Sequence, residues 1–126
     1  MNKFLLMLAL ISTAAYGEWT KTGIGVDSSI YVDKGTMKRS GDLIRITYLQ
    51  NFSLGTTSDD GKMTYKSSRT VEEFNCKKGE SRTASFEWFS DVMGGGKQVY
   101  RDVHTYPFEK VDEESLVGSV MRGVCG

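Results

Sequence analysis

The strongest alternation of apolar and polar positions lies in the first half of the chain. Between Leu43 and Phe52, Ile44, Ile46, Tyr48 and Phe52 fall on one face, with Arg45, Thr47 and Asn51 on the other. That period of two predicts a β-strand. Leu43 and Leu49 interrupt the polar row, so the second face is expected to be partly covered. Two shorter β-prone pieces come before it: Ile30–Val32, closed by Asp33-Lys34-Gly35 as a turn, and Thr36–Arg39, closed by Ser40-Gly41-Asp42. A polar stretch over 55–62 ends in the turn signal Asp59-Asp60-Gly61. Strands are predicted beyond it over Met63–Cys76 and Ser81–Ser90, the latter with Ala84, Phe86 and Trp88 on one face. Gly94-Gly95-Gly96 predicts a mobile loop, and a last strand runs from Gln98 to Tyr106, ended by Pro107, which has no amide to donate.

The period then changes. Leu116, Val117, Val120, Met121 and Val124 form a stripe at helical spacing, with Asp112 placed to cap the helix and Glu113 and Glu114 favoured near its positive end. Gly118 is expected to cost this helix about 1 kcal/mol relative to alanine. Strands followed by one amphipathic helix define an α+β fold, an antiparallel sheet of five to seven strands with the helix packed on one face.

The first 17 residues read differently. Lys3 is followed by the apolar run Phe4–Ile11 and by a small, mostly polar stretch to Gly17, the pattern of a cleaved signal peptide. Eight apolar residues are too few to cross a bilayer, which takes about 20. Residues 18–126 are then expected to form a single exported domain, periplasmic, secreted or at the cell surface. No cysteine borders the expected cut, so a lipid anchor is not expected. Loss of Lys3 takes the Lys and Arg count from 16 to 15 against 16 Asp and Glu, a net charge of −1. Near-neutrality argues against nucleic acid as a partner. Export also bears on the two cysteines, Cys76 and Cys125, because an oxidising compartment favours a structural disulfide over thiol chemistry.

Few residues remain for catalysis. His104 is the single histidine, with Asp102 and Tyr106 on the same predicted strand face and Tyr100 beyond. One histidine does not make a metal site, which usually takes three or four ligands. No cofactor, metal or catalytic residue is expected, and the chain is read as a non-enzyme. Basic residues cluster weakly at Lys38, Arg39 and Arg45 and at Lys77, Lys78 and Arg82, which reads as a solvated face with interspersed acids. Trp19, Trp88, Phe86, Tyr48 and Phe52 read as core. Gly94, Gly95, Gly96, Tyr100, His104 and Tyr106 make the candidate binding surface, because aromatic residues on a rigid strand are good interface anchors.

Several segments in order resemble the surface-adhesin protein E family of small exported bacterial domains. They are Glu18-Trp19, Ile30-Tyr31-Val32-Asp33, Met37-Lys38-Arg39-Ser40-Gly41, Leu43–Phe52, Glu73-Phe74-Asn75-Cys76 with the basic stretch to Arg82, and the helix closing on Val124-Cys125. The resemblance implies a sheet with a C-terminal helix and a disulfide between Cys76 and Cys125. It also implies attachment to host extracellular proteins such as vitronectin and laminin. Its matching residues are those of the framework, so it assigns no binding residue. The resulting expectation is an exported non-enzymatic binding protein with a host or bacterial protein as partner. The alternative is a periplasmic accessory or hydrolase-inhibitor protein inserting the loop Asp91–Lys97.

Overall fold

The computed structural model describes residues 18–25 and 27–126. The expected signal peptide lies outside the described residues. Seven strands form one antiparallel sheet: β1 (Trp19–Gly25), β2 (Ser28–Ser40), β3 (Leu43–Thr57), β4 (Thr64–Asn75), β5 (Glu80–Phe89), β6 (Gln98–Asp102) and β7 (Glu109–Lys110). Their spatial order follows the chain from β1 to β6, with β7 also paired to β5. A helix, α1 (Leu116–Cys125), closes the fold. The α+β architecture predicted from the alternating patterns is the one observed.

Helix and sheet meet through the rows the sequence marks. Ile30, Val32, Ile46, Tyr48 and Phe74 are buried beneath Val120 and Met121, and Leu116, Val117 and Val124 pack around them. The helix lies on β1, β2 and β3. Cys76, just past β4, is bonded to Cys125 at the helix end, with Cα atoms 5.6 Å apart. The opposite sheet face also has cover. Leu49 is fully buried there, and the Cβ position of Gly94, in the turn after β5, lies 3.5 Å from its Cδ1. The break in alternation at Leu49 thus has its cause.

Three local expectations need correction, and one strand comes without any. Asp33-Lys34-Gly35 is a bulge inside one long β2, not a turn between two strands. Asp33 Oδ1 accepts from the Gly35 amide at 3.0 Å, and the register with β3 resumes at Lys38. The turn residues satisfy their own backbone while β3 holds the strand on both sides. A glycine-rich segment with weak strand signals, Trp19–Gly25, forms β1. Its Gly23 leaves space for Ser119 and Leu116 of the helix.

The helix cap is Ser115, whose hydroxyl accepts from the Gly118 amide at 3.0 Å. Asp112 closes the preceding turn through the Glu114 amide instead. Finally, β6 stops at Asp102, well before Pro107, because the Asp102 carboxylate accepts from the His104 amide at 2.7 Å and turns the chain.

Candidate functional site

Five aromatic rings from β3, β4, β5 and β6 meet in a continuous patch. Phe52 meets Tyr65 edge-on at 5.6 Å, and Tyr65 stacks on Trp88 at 4.2 Å with the rings 4° from parallel. Tyr100 lies 4.9 Å from Trp88 and 5.9 Å from Phe86. Register places Trp88 between Ser68 and Tyr100, and Phe86 between Thr70 and Asp102. Phe86 and Trp88 therefore continue the row that holds Glu72 and Phe74, on the helix-bearing face. The helix packs mainly on β1–β3, and Phe86, Trp88 and Tyr100 at the β5–β6 end of that face keep part of their surface exposed.

This corrects the reading of these aromatics as core. Among them only Tyr48 is buried; Trp19, Phe52, Phe86 and Trp88 are half-buried, and Tyr100 is exposed. Tyr65, which joins Phe52 to Trp88, carried no signal of its own in the sequence. Rings of this kind bring large rigid area to a contact at small entropic cost.

The other expected surface residues separate into two groups. His104 and Tyr106 follow β6 and pack edge-to-face at 4.9 Å. The Tyr106 hydroxyl donates to Asp102 at 2.6 Å. That bond and the His104 amide hold the Asp102 carboxyl below its ordinary range, and the carboxylate pushes the Tyr106 phenol up. Gly94–Gly96 belong to the opposite face and do not join them.

Nor is that glycine segment a free loop. Asp91 caps a single 3₁₀ turn (Val92–Gly94). The Ser67 hydroxyl donates to the Asp91 carbonyl at 2.6 Å and accepts from the Gly94 amide at 2.9 Å, while the Met93 amide donates to Asn51 at 2.8 Å. Gly96 has φ +71°, and a Cβ there would collide with Ser90. The glycines serve a tight hydrogen-bonded knot.

Each weak basic cluster has one arginine in an ion pair, and Arg69, outside both, has its own. Glu73 accepts from Arg82 at 2.7 Å and Arg45 at 3.5 Å, and Arg69 pairs with Glu87 at 2.9 Å. Among the described residues, no group of three or more histidine, cysteine or carboxylate side chains is placed to hold a metal.

One titratable residue went unmarked in the sequence reading, although it shares the buried parity of Phe74. Glu72 is only 5% exposed. It accepts from the Ser81 and Thr83 hydroxyls, each at 2.7 Å. Burial pushes its carboxyl pKa up, the two hydroxyl bonds oppose that shift, and the charge of Glu73 adds to it. A carboxyl with a raised native pKa takes up protons on folding between its unfolded and native values. Its contribution to stability is therefore most favourable at low pH and falls as pH rises through that window. Relative to Glu72→Gln, the wild type should gain stability on going from pH 7 to pH 4, a change that urea unfolding of both proteins at the two pH values measures.

Comparison with known proteins shows the family and the fold. The family model for surface-adhesin protein E matches residues 19–126. The chain belongs to the surface-adhesin protein E family. Protein E of Haemophilus influenzae has the same fold: one structure superposes with a TM-score of 0.63 at 12% identity, covering 90% of this chain and 87% of that one. A second crystal form gives 0.65 at 12% identity over 90% and 91%. Protein E from a non-typeable H. influenzae gives 0.58 at 13% identity over 90% and 78%. Comparison with curated proteins gives no match. At such identity the structural likeness speaks for the fold alone, while the family match makes this an adhesin-like surface protein. No helix among the described residues is long and apolar enough to cross a membrane.

Proposed function

We propose that this member of the surface-adhesin protein E family is an exported, non-enzymatic binding protein that attaches to extracellular host proteins. The observation that carries the reading is the open aromatic patch of Phe52, Tyr65, Phe86, Trp88 and Tyr100. It lies on rigid strands of a domain built on an adhesin framework. Half-buried rings on neighbouring strands form a preorganised surface, so little is lost in ordering it when a partner docks. The exposed pair His104 and Tyr106 extends that surface past the end of β6.

The knot at Gly94–Gly96 is outside it. Its hydrogen bonds to Ser67 and Asn51 hold the segment against its own sheet, which leaves little support for a hydrolase inhibitor that inserts this loop. Binding of the purified exported chain to immobilised vitronectin and laminin tests the proposal. Saturable binding is expected, and its absence across a panel of matrix and serum proteins contradicts the adhesin reading.

A further inference from the structure

A groove beside the start of α1 has chemistry that the aromatic patch does not use. It has a volume of about 430 Å³ and lies between β5, β7 and the residues leading into the helix. Glu72 lines its buried side, held by Ser81 Oγ on Oε2 and Thr83 Oγ1 on Oε1. Both donors are neutral. None of the ion pairs formed among the described residues includes Glu72.

The cations that border the groove are turned to other partners. Arg82 bonds Glu73 at 2.7 Å and lies 4.4 Å from the centre of the Phe108 ring. Lys110 Nζ donates to the Lys78 carbonyl at 2.7 Å. Placing a carboxylate away from water without a cation is costly, so such a charge is ordinarily paired. Here the chain supplies hydroxyls and no counter-charge.

The count of acceptor sites narrows the missing partner. A carboxylate offers about four lone-pair sites, two on each oxygen. One hydroxyl occupies each oxygen of Glu72, which leaves one site on each. A guanidinium donates two parallel N–H bonds and fills both at once, whereas an ammonium is a point charge without that fork. Tyr106, Pro107, Val111 and Val117 on the walls offer apolar surface to the stem of such a side chain.

We propose that this groove receives an arginine side chain presented by the protein partner, its guanidinium closing on Glu72. The inference rests on the reading of the chain as a protein-binding module and names the group its partner must present. Groove and aromatic patch share one sheet face, at the Ser81–Thr83 and Phe86–Trp88 parts of β5, so a single partner spans both.

The test is an NMR titration of the purified exported chain with N-acetyl-arginine methylamide, and with the citrulline analogue as its neutral isostere. The arginine probe should saturate with a dissociation constant on the order of 1 mM, shifting the amides of Glu72, Ser81, Thr83 and Tyr106. Glu72→Gln should weaken it at least tenfold, and citrulline should give no saturable shift. Equal response to citrulline, or an unchanged affinity in a folded Glu72→Gln variant, overturns the proposal. The citrulline comparison decides the matter on the wild type alone if the variant does not fold. Arginine uptake without any matrix-protein binding upholds the groove and removes the adhesin reading. Matrix binding without arginine uptake does the reverse.

Discussion

Replacing Cys76 and Cys125 together by serine should lower the stability of the fold by about 4 kcal/mol, from the entropy the bridge removes from an unfolded loop of this length. The bond spans 49 residues of sequence separation. For a domain of this size, that loss corresponds to a fall of roughly 15–25 °C in the unfolding midpoint. The bridge also acts where the fold is weak. Helix α1 has ten residues and two glycines, Gly118 and Gly123, and a helix that short does not hold itself together in water. Its buried stripe and the sulfur bond at its last residue keep it on β1–β3. Circular dichroism melts of the wild type with and without reductant, beside the double variant, measure the effect. A midpoint within a few degrees of the oxidised wild type would mean that the helix is held by packing alone.

Gly118→Ala is the second large effect, and here propensity and packing point in opposite directions. Helix propensity alone promises a gain of about 1 kcal/mol. Gly118, however, is buried in the first turn of α1, pressed against the chain that leads into it. A Cβ there would strike the Asp112 carbonyl oxygen and come within 2.7 Å of that of Glu113. Those are backbone atoms, fixed by the Ser115 amide and hydroxyl bonds to Asp112, and they cannot rotate aside. The net result should be a loss of about 2 kcal/mol, within the usual cost of overpacking. Gly123→Ala is the internal control: its Cβ would meet only Thr22 Cγ2, at 3.9 Å, so it should be neutral or gain up to about 1 kcal/mol. Urea unfolding of the two variants separates the contributions. Equal behaviour would show that propensity, not close approach, governs this helix.

Gly118 also marks where the sequence stops informing. Its cost to an isolated helix is readable from residue type, but its reason is a neighbour that only the tertiary structure brings close. The stripe from Leu116 to Val124 and the alternation in β3 were legible, because burial on one face imposes the periods of 3.6 and two. Asp33-Lys34-Gly35 was misleading: the same residues that make a turn make a bulge when both flanks pair with β3.

The aromatic patch shows a further limit. Alternation assigns Phe86 and Trp88 to a face but does not say how far a ten-residue helix extends across it. Since α1 covers β1–β3, the same apolar parity means core at Ile46 and surface at Trp88. Glu72 was hidden for a related reason. A glutamate in a strand, here followed by Glu73, reads as solvent-facing unless Phe74, two residues on, is used to fix the parity.

The proposed function requires that contact with a protein partner be made through the open aromatic face. Its most direct test compares Trp88→Ala/Tyr100→Ala with the wild type for binding to the matrix protein that the wild type captures, after circular dichroism has shown the variant folded. Aromatic residues at the centre of an interface contribute about 2–4 kcal/mol each, so affinity should fall at least 100-fold in the double variant. Lys38→Ala/Arg39→Ala, on an exposed part of β2, should bind as the wild type does. Full affinity in a folded Trp88→Ala/Tyr100→Ala variant would contradict the claim.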